Sequence, residues 1–187
     1  MLPRLTPASS LLLVVDVQER LAQAMPAEAM DRLVHNTCIL LEAARVLSVR
    51  VVVTEQYPKG LGPTVAPIAE KLAALGVTPI SKLDFSALGE HAVARAIDTP
   101  SRPRSVIVAG MESHVCVFQT SRELAHRGYE TFVVEDAVAS RREENRQAGL
   151  ALCARAGAVR TVTESVVFDW LGRAEGEAFK AISKLVK

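Results

Sequence analysis

Hydrophobic positions along this chain follow two rhythms. Six short runs are almost continuously apolar and rich in β-branched residues, at positions 11–16, 50–55, 78–82, 105–110, 130–136 and 159–164. Continuous apolar runs, as opposed to alternating ones, predict strands covered on both faces, as in a parallel sheet. The third run is the weakest, because Pro79 cannot donate to a ladder and fits best near a strand start. Between the runs the spacing turns helical. Over 27–47, Met30, Leu33, Val34, Thr37, Leu40, Leu41 and Ala44 recur on one face. Helices are also predicted over 65–75, 113–127 and 141–156, each followed by a glycine (Gly76, Gly128, Gly157) that supplies a stop signal. Helix, glycine, strand, three times over, is the mark of repeated βα crossovers. The pattern predicts one α/β domain over residues 1–187. Its architecture is a doubly wound three-layer fold, with a six-stranded parallel sheet and helices on both faces.

Such sheets bind ligands beyond the carboxyl ends of their strands. Strand one ends at Asp16, strand two at Glu55 and Gln56, strand three at Lys82, and strand four at a glycine turn leading to Cys116. A carboxylate, an ammonium and a thiol thus converge on one rim. Each has a plainer reading alone: a strand-ending aspartate is commonly a turn residue, a lone lysine a solvated group, a lone cysteine a small hydrophobe. Together they offer chemistry. A cysteine at a helix start has its thiolate favoured by free N–H groups and a nearby lysine. An aspartate beside it can take the thiol proton and return it to a leaving group. His114 stands two residues before Cys116, so the two side chains point to opposite sides of a helix and a Cys–His dyad is not expected. His35, His91 and His126 lie in helical stretches as packing or surface groups, and Cys38 and Cys153 read as core.

Composition narrows the classes. With 187 residues, net charge +1 and 4% aromatics, the chain shows no electrostatic footprint or stacking platform for nucleic acid. The apolar run "LLLVV" is too short for a signal h-region, and no stretch reaches membrane-spanning length. A cytoplasmic location is expected, with neither membrane nor nucleic acid as partner. Three dispersed cysteines make no CxxC pair, so structural disulfides are not expected.

The anchors "LLLVVDVQERL", "SKLDFSA" and "VIVAGMESHVCVFQTSRELAHRGYETFVVEDAVASR" resemble the isochorismatase-like cysteine hydrolases, the superfamily of nicotinamidases and N-carbamoylsarcosine amidohydrolase. The stretches "VVVTEQYPKGLGPTV" and "FDWLGRAEGEAFKAISKLVK" look like its isochorismatase-domain-containing branch. The resemblance implies a catalytic triad of Asp16, Lys82 and Cys116, and a cis Met111–Glu112 peptide. It also implies an oxyanion hole made by the backbone N–H groups of Glu112 and Cys116. Gln18, Tyr57, Phe85 and His114 become substrate-pocket candidates, and a homo-oligomer is expected. After strand two, nicotinamidases carry metal-ligating histidines; here the residues are Glu55, Gln56, Tyr57 and Pro58, so neither metal nor other cofactor is expected. Glu55 and Glu112 near the rim are expected to disfavour anionic ligands. The resulting expectation is a hydrolase of a small amide-like molecule, the alternative being a binding or scaffold protein that keeps the hydrolase fold.

Overall fold

A computed structural model describes residues 4–186. Strand β1 (Ser10–Val15) is followed by the short helix α1 (Glu19–Ala22) and the long helix α2 (Ala27–Leu47). Strand β2 (Arg50–Gln56) leads through α3 (Pro58–Leu61) and α4 (Ala66–Leu75) to β3 (Ile80–Lys82). Helix α5 (His91–Asp98) precedes β4 (Ser105–Met111), and α6 (Phe118–His126) precedes β5 (Glu130–Ala139). The chain closes with α7 (Glu143–Arg155), β6 (Val159–Thr161), α8 (Thr163–Leu171) and α9 (Gly176–Ile182).

All pairings in the six-stranded sheet are parallel, in the order β3-β2-β1-β4-β5-β6. The order reverses direction between β1 and β4, and that is the crevice where doubly wound sheets hold their ligands. β1 is buried along its whole length, and its alternating side chains feed two cores. Leu12 and Val14 face a layer that includes α2, α4, α8 and α9, whereas Leu11, Leu13 and Val15 face α5, α6 and α7. A strand with water on neither side has no use for a polar alternate position, which accounts for the continuous apolar runs.

Several boundaries differ from the expectation, each for a local reason. The sixth run stops at Thr161 because Asp136 Oδ1 accepts from both the backbone N and Oγ1 of Thr163, at 2.9 Å each, and starts α8 there. The fifth strand runs on to Ala139 past an irregularity in its pairing with β4. The predicted helix 113–127 is divided, with residues 113–117 forming a wide turn in which Val117 N bonds Glu112 O, five residues back, at 3.2 Å. The glycine stops after α4, α6 and α7 sit at positive φ as the sequence suggests. At the C-terminus, Ile182 is fully buried and Leu185 and Val186 pack on the α2 core, so this segment docks on its own domain. Among the described residues, no helix is long and apolar enough to cross a membrane.

Gly110 is the tightest point of the sheet. Its φ is +121°, and a Cβ there would collide with the backbone N, C and O of Val15 on the neighbouring strand. Gly110→Ala should therefore destabilise the protein by more than about 3 kcal/mol, because strain and collision act together. Urea denaturation measures this, and a loss below about 1 kcal/mol would show that β1 and β4 can separate without penalty.

Candidate active site

Asp16 is the residue at which β1 ends, and its backbone is held in the left-handed region at φ 53°. Aspartate is among the few L-residues that tolerate this conformation. Its N–H bonds Thr54 O at 3.1 Å, and Thr54 Oγ1 donates to Asp16 Oδ1 at 2.7 Å. The carboxylate is thus fixed by the next strand, and the residue is completely buried.

Lys82 ends β3 and turns inward, its side chain as inaccessible as that of Asp16. Nζ lies 2.7 Å from Asp16 Oδ2. It also donates to Gln56 Oε1 at 2.6 Å, Asp84 O at 3.0 Å and Phe85 O at 3.3 Å. Each of these four contacts is to an oxygen acceptor. The 2.7 Å contact makes Asp16 Oδ2 and Lys82 Nζ a fully buried ion pair. A third group stands near this pair.

Cys116 is that third group. It lies in the wide turn after β4, 6% exposed. The turn is pressed against α7, where Gly149 leaves no room for more than hydrogen: a Cβ there would stand 2.5 Å from His114 N. Burial first, and the charge of Asp16 second, push the Cys116 thiol up to about 12, against a smaller opposing pull from Lys82. The sequence led to the opposite expectation, a thiolate stabilised at a helix start. The structure corrects it: the cysteine is enclosed within a wide turn beside a carboxylate, so the resting group is a thiol.

The pocket candidates divide. Gln18 is fully buried, with both ends of its amide engaged by backbone, and presents nothing to a ligand. Tyr57 and Phe85 are half exposed at the ends of β2 and β3. The His114 ring turns to Ser140 Oγ at 3.1 Å, away from any dyad. Ser113 Oγ donates to Arg146 O at 3.2 Å and lies 2.8 Å from Ser140 Oγ. Satisfying all these contacts requires Ser140 to donate to Ser113 and to accept from His114 Nδ1–H.

The two rim carboxylates do not confront a ligand. Glu112 accepts from the backbone N and the guanidinium of Arg141 at 3.0–3.2 Å, and Glu55 accepts from Thr64 N and Oγ1 at 2.7 and 2.8 Å. The Arg141 guanidinium offsets the charge of Glu112, whereas Glu55 meets only neutral donors. The Met111–Glu112 peptide is cis. Among the described residues, no group of three or more His, Cys, Asp or Glu could hold a metal ion. Sequence reasoning missed Thr54, Gln56, Arg141 and Gly149; only Gln56 had a visible signal, its place at a strand end beside Lys82.

Burial and the Asp16 charge hold the thiol well above its ordinary range, so little thiolate is present near neutral pH. Alkylation of Cys116 by iodoacetamide should therefore keep rising tenfold per pH unit through pH 10, with no plateau. Lys82→Ala should slow it further, since the one opposing pull is lost. A plateau near pH 8.5 in site-resolved mass spectrometry would overturn this picture.

A family model described as "Isochorismatase domain" matches residues 10–165. The Bos taurus protein named isochorismatase domain-containing protein 2 is 38% identical over 186 residues, covering 100% of this chain and 87% of that one. A solved structure described as the MAR1 ribonuclease from Caenorhabditis elegans superposes with a TM-score of 0.90 at 35% identity, covering 98% and 92% of the two chains. The ycaC gene product from Escherichia coli, described as an octameric hydrolase of unknown specificity, shares the fold at a TM-score of 0.87 and 20% identity, covering 97% and 90%. Matched by a family model over most of its length, and aligned from end to end with a curated relative, this chain belongs to the isochorismatase family.

Proposed function

We propose that this protein is a metal-independent hydrolase of small carboxamides, with Cys116 as nucleophile, Asp16 as proton carrier and Lys82 as a fixed cation. The observation that carries the reading is the buried Asp16 carboxylate, 2.7 Å from the Lys82 ammonium and beside a thiol that burial and that carboxylate keep protonated. In the first step the thiol proton passes to Asp16 as Sγ bonds the carbonyl carbon. The carbonyl electron pair moves to oxygen, where the backbone N–H groups of Glu112 and Cys116 would receive it. The tetrahedral species collapses, the C–N bond breaks, and the amine leaves with the proton from Asp16. Water then attacks the thioester, its proton passes to Asp16, and the released thiolate recovers that proton as the acid departs. Lys82 keeps its protons throughout and stabilises each anionic stage.

The residue types at the rim support a neutral substrate that needs no metal. Glu55 is spent on Thr64, Glu112 on Arg141, and Gln56 on Lys82. A homo-oligomer is part of the proposal, in keeping with the octamer named for the Escherichia coli fold neighbour. So is a cytoplasmic location. "Ribonuclease" describes the nematode protein; the small net charge of this chain speaks against an RNA substrate here.

A panel of aliphatic and aromatic primary amides, read by ammonia release, tests the reading. Cys116→Ser and Asp16→Asn are each expected to lose at least about a thousandfold in kcat/KM, the scale of a removed nucleophile or base. Chloroacetamide should label Cys116 in folded wild type and more slowly in Lys82→Ala. No turnover across the panel together with an inert Cys116 would favour the binding or scaffold alternative. Light scattering on the purified chain checks the oligomer, and a monomer at micromolar concentration would remove that element.

A further inference from the structure

Lys82 owes its position to a residue that the proposed chemistry does not touch. Gln56 is the last residue of β2 and pairs in register with Lys82 of β3. Its Oε1 accepts from Lys82 Nζ at 2.6 Å, the shortest contact the ammonium makes, and its Nε2 donates to Leu83 O at 2.7 Å. An amide tied at both ends cannot flip without losing both bonds, so its oxygen is held toward the ammonium. Behind it stands Gln18. Gln18 Oε1 accepts from Gln56 N at 2.7 Å, and its Nε2 donates to Gln56 O at 3.0 Å and to Gly62 O at 2.7 Å. This buried side chain imitates a neighbouring strand and clamps the Gln56 backbone where regular pairing has ended. The remaining neutral acceptors of Lys82, Asp84 O and Phe85 O, belong to the loop after β3, whose Leu83 and Phe85 side chains are exposed.

Building on the reading that Cys116 is the nucleophile, we propose that Gln56 is a positioning residue for Lys82. Seated by Gln18, it holds the ammonium against Asp16, near the thiol, and so governs the reactivity of Cys116. Without it, the loop carbonyls of Asp84 and Phe85 draw the ammonium outward, and its field at sulfur falls with distance.

Alkylation of Cys116 by iodoacetamide at pH 8–10, resolved from Cys38 and Cys153 by mass spectrometry, tests this on the full chain. Gln56→Leu, similar in size but unable to bond, should slow the reaction about tenfold, as one unit of thiol pKa would. In a Lys82→Met background, itself slow, Gln56→Leu should change nothing further, because the residue it positions is gone. Gln56→Glu in the Lys82 protein supplies a second arm that needs no Lys82 variant. It keeps size and an acceptor but adds a charge that competes for the ammonium, so its rate should fall at least as far as that of Gln56→Leu. Thermal midpoints verify that each variant is folded. Equal slowing by Gln56→Leu with and without Lys82, or a wild-type rate in folded Gln56→Leu, overturns the positioning role. If folded Lys82→Met already reacts like wild type, the failure lies instead with the nucleophile reading.

Discussion

The structure depends on one buried ion pair. Lys82 and Asp16 have no solvent contact, and their charged atoms stand 2.7 Å apart. Removing both ions from water costs several kcal/mol each, which their mutual attraction offsets only where further hydrogen bonds complete both shells. Thr54 completes one side, and Gln56 with two loop carbonyls completes the other. The ends of β1, β2 and β3 are therefore held together by charge as well as by ladder bonds. Taking away either ion leaves the other stranded in the interior at about 3–5 kcal/mol, so the pair acts as a lock on this end of the sheet.

That lock decides which group is reactive. A cysteine beside a lone lysine would ionise readily, but here the lysine is already matched by a carboxylate. The thiol meets a nearly neutral pair in a desolvated place, and burial dominates. A protonated thiol is protected from stray electrophiles and oxidants, since the thiolate is the reactive species.

Much of this was readable from residue order. Continuous apolar runs marked the strands, because both faces of the sheet are covered. Gly76, Gly128 and Gly157 marked helix ends, because the left-handed region excludes most other residues. Asp16, Lys82 and Cys116 came together from the strand-end rule alone. What stayed hidden depends on partners distant in sequence. Asp136 caps a helix 27 residues onward, and Gly149 is required by the backbone of the turn at 113–114. The direction of the Cys116 shift was misread because the sequence shows the lysine and the aspartate but not how completely they cancel. The partners of Gln18 were hidden in the same way: its amide bonds Gln56 and Gly62, 38 and 44 residues onward.

The strand order has a consequence for how the protein comes into being. β1 is central, and it pairs with β4 only after nearly three fifths of the chain has left the ribosome. Until then Asp16 and Lys82 can meet, but the turn that carries the thiol has no sheet to stand on. A truncated or half-made chain therefore lacks the pairing that seats the turn carrying Cys116. Completion of the central pairing, with α7 pressed over the turn, is what brings the three groups into one enclosure, so any reactivity they possess belongs to the finished molecule alone.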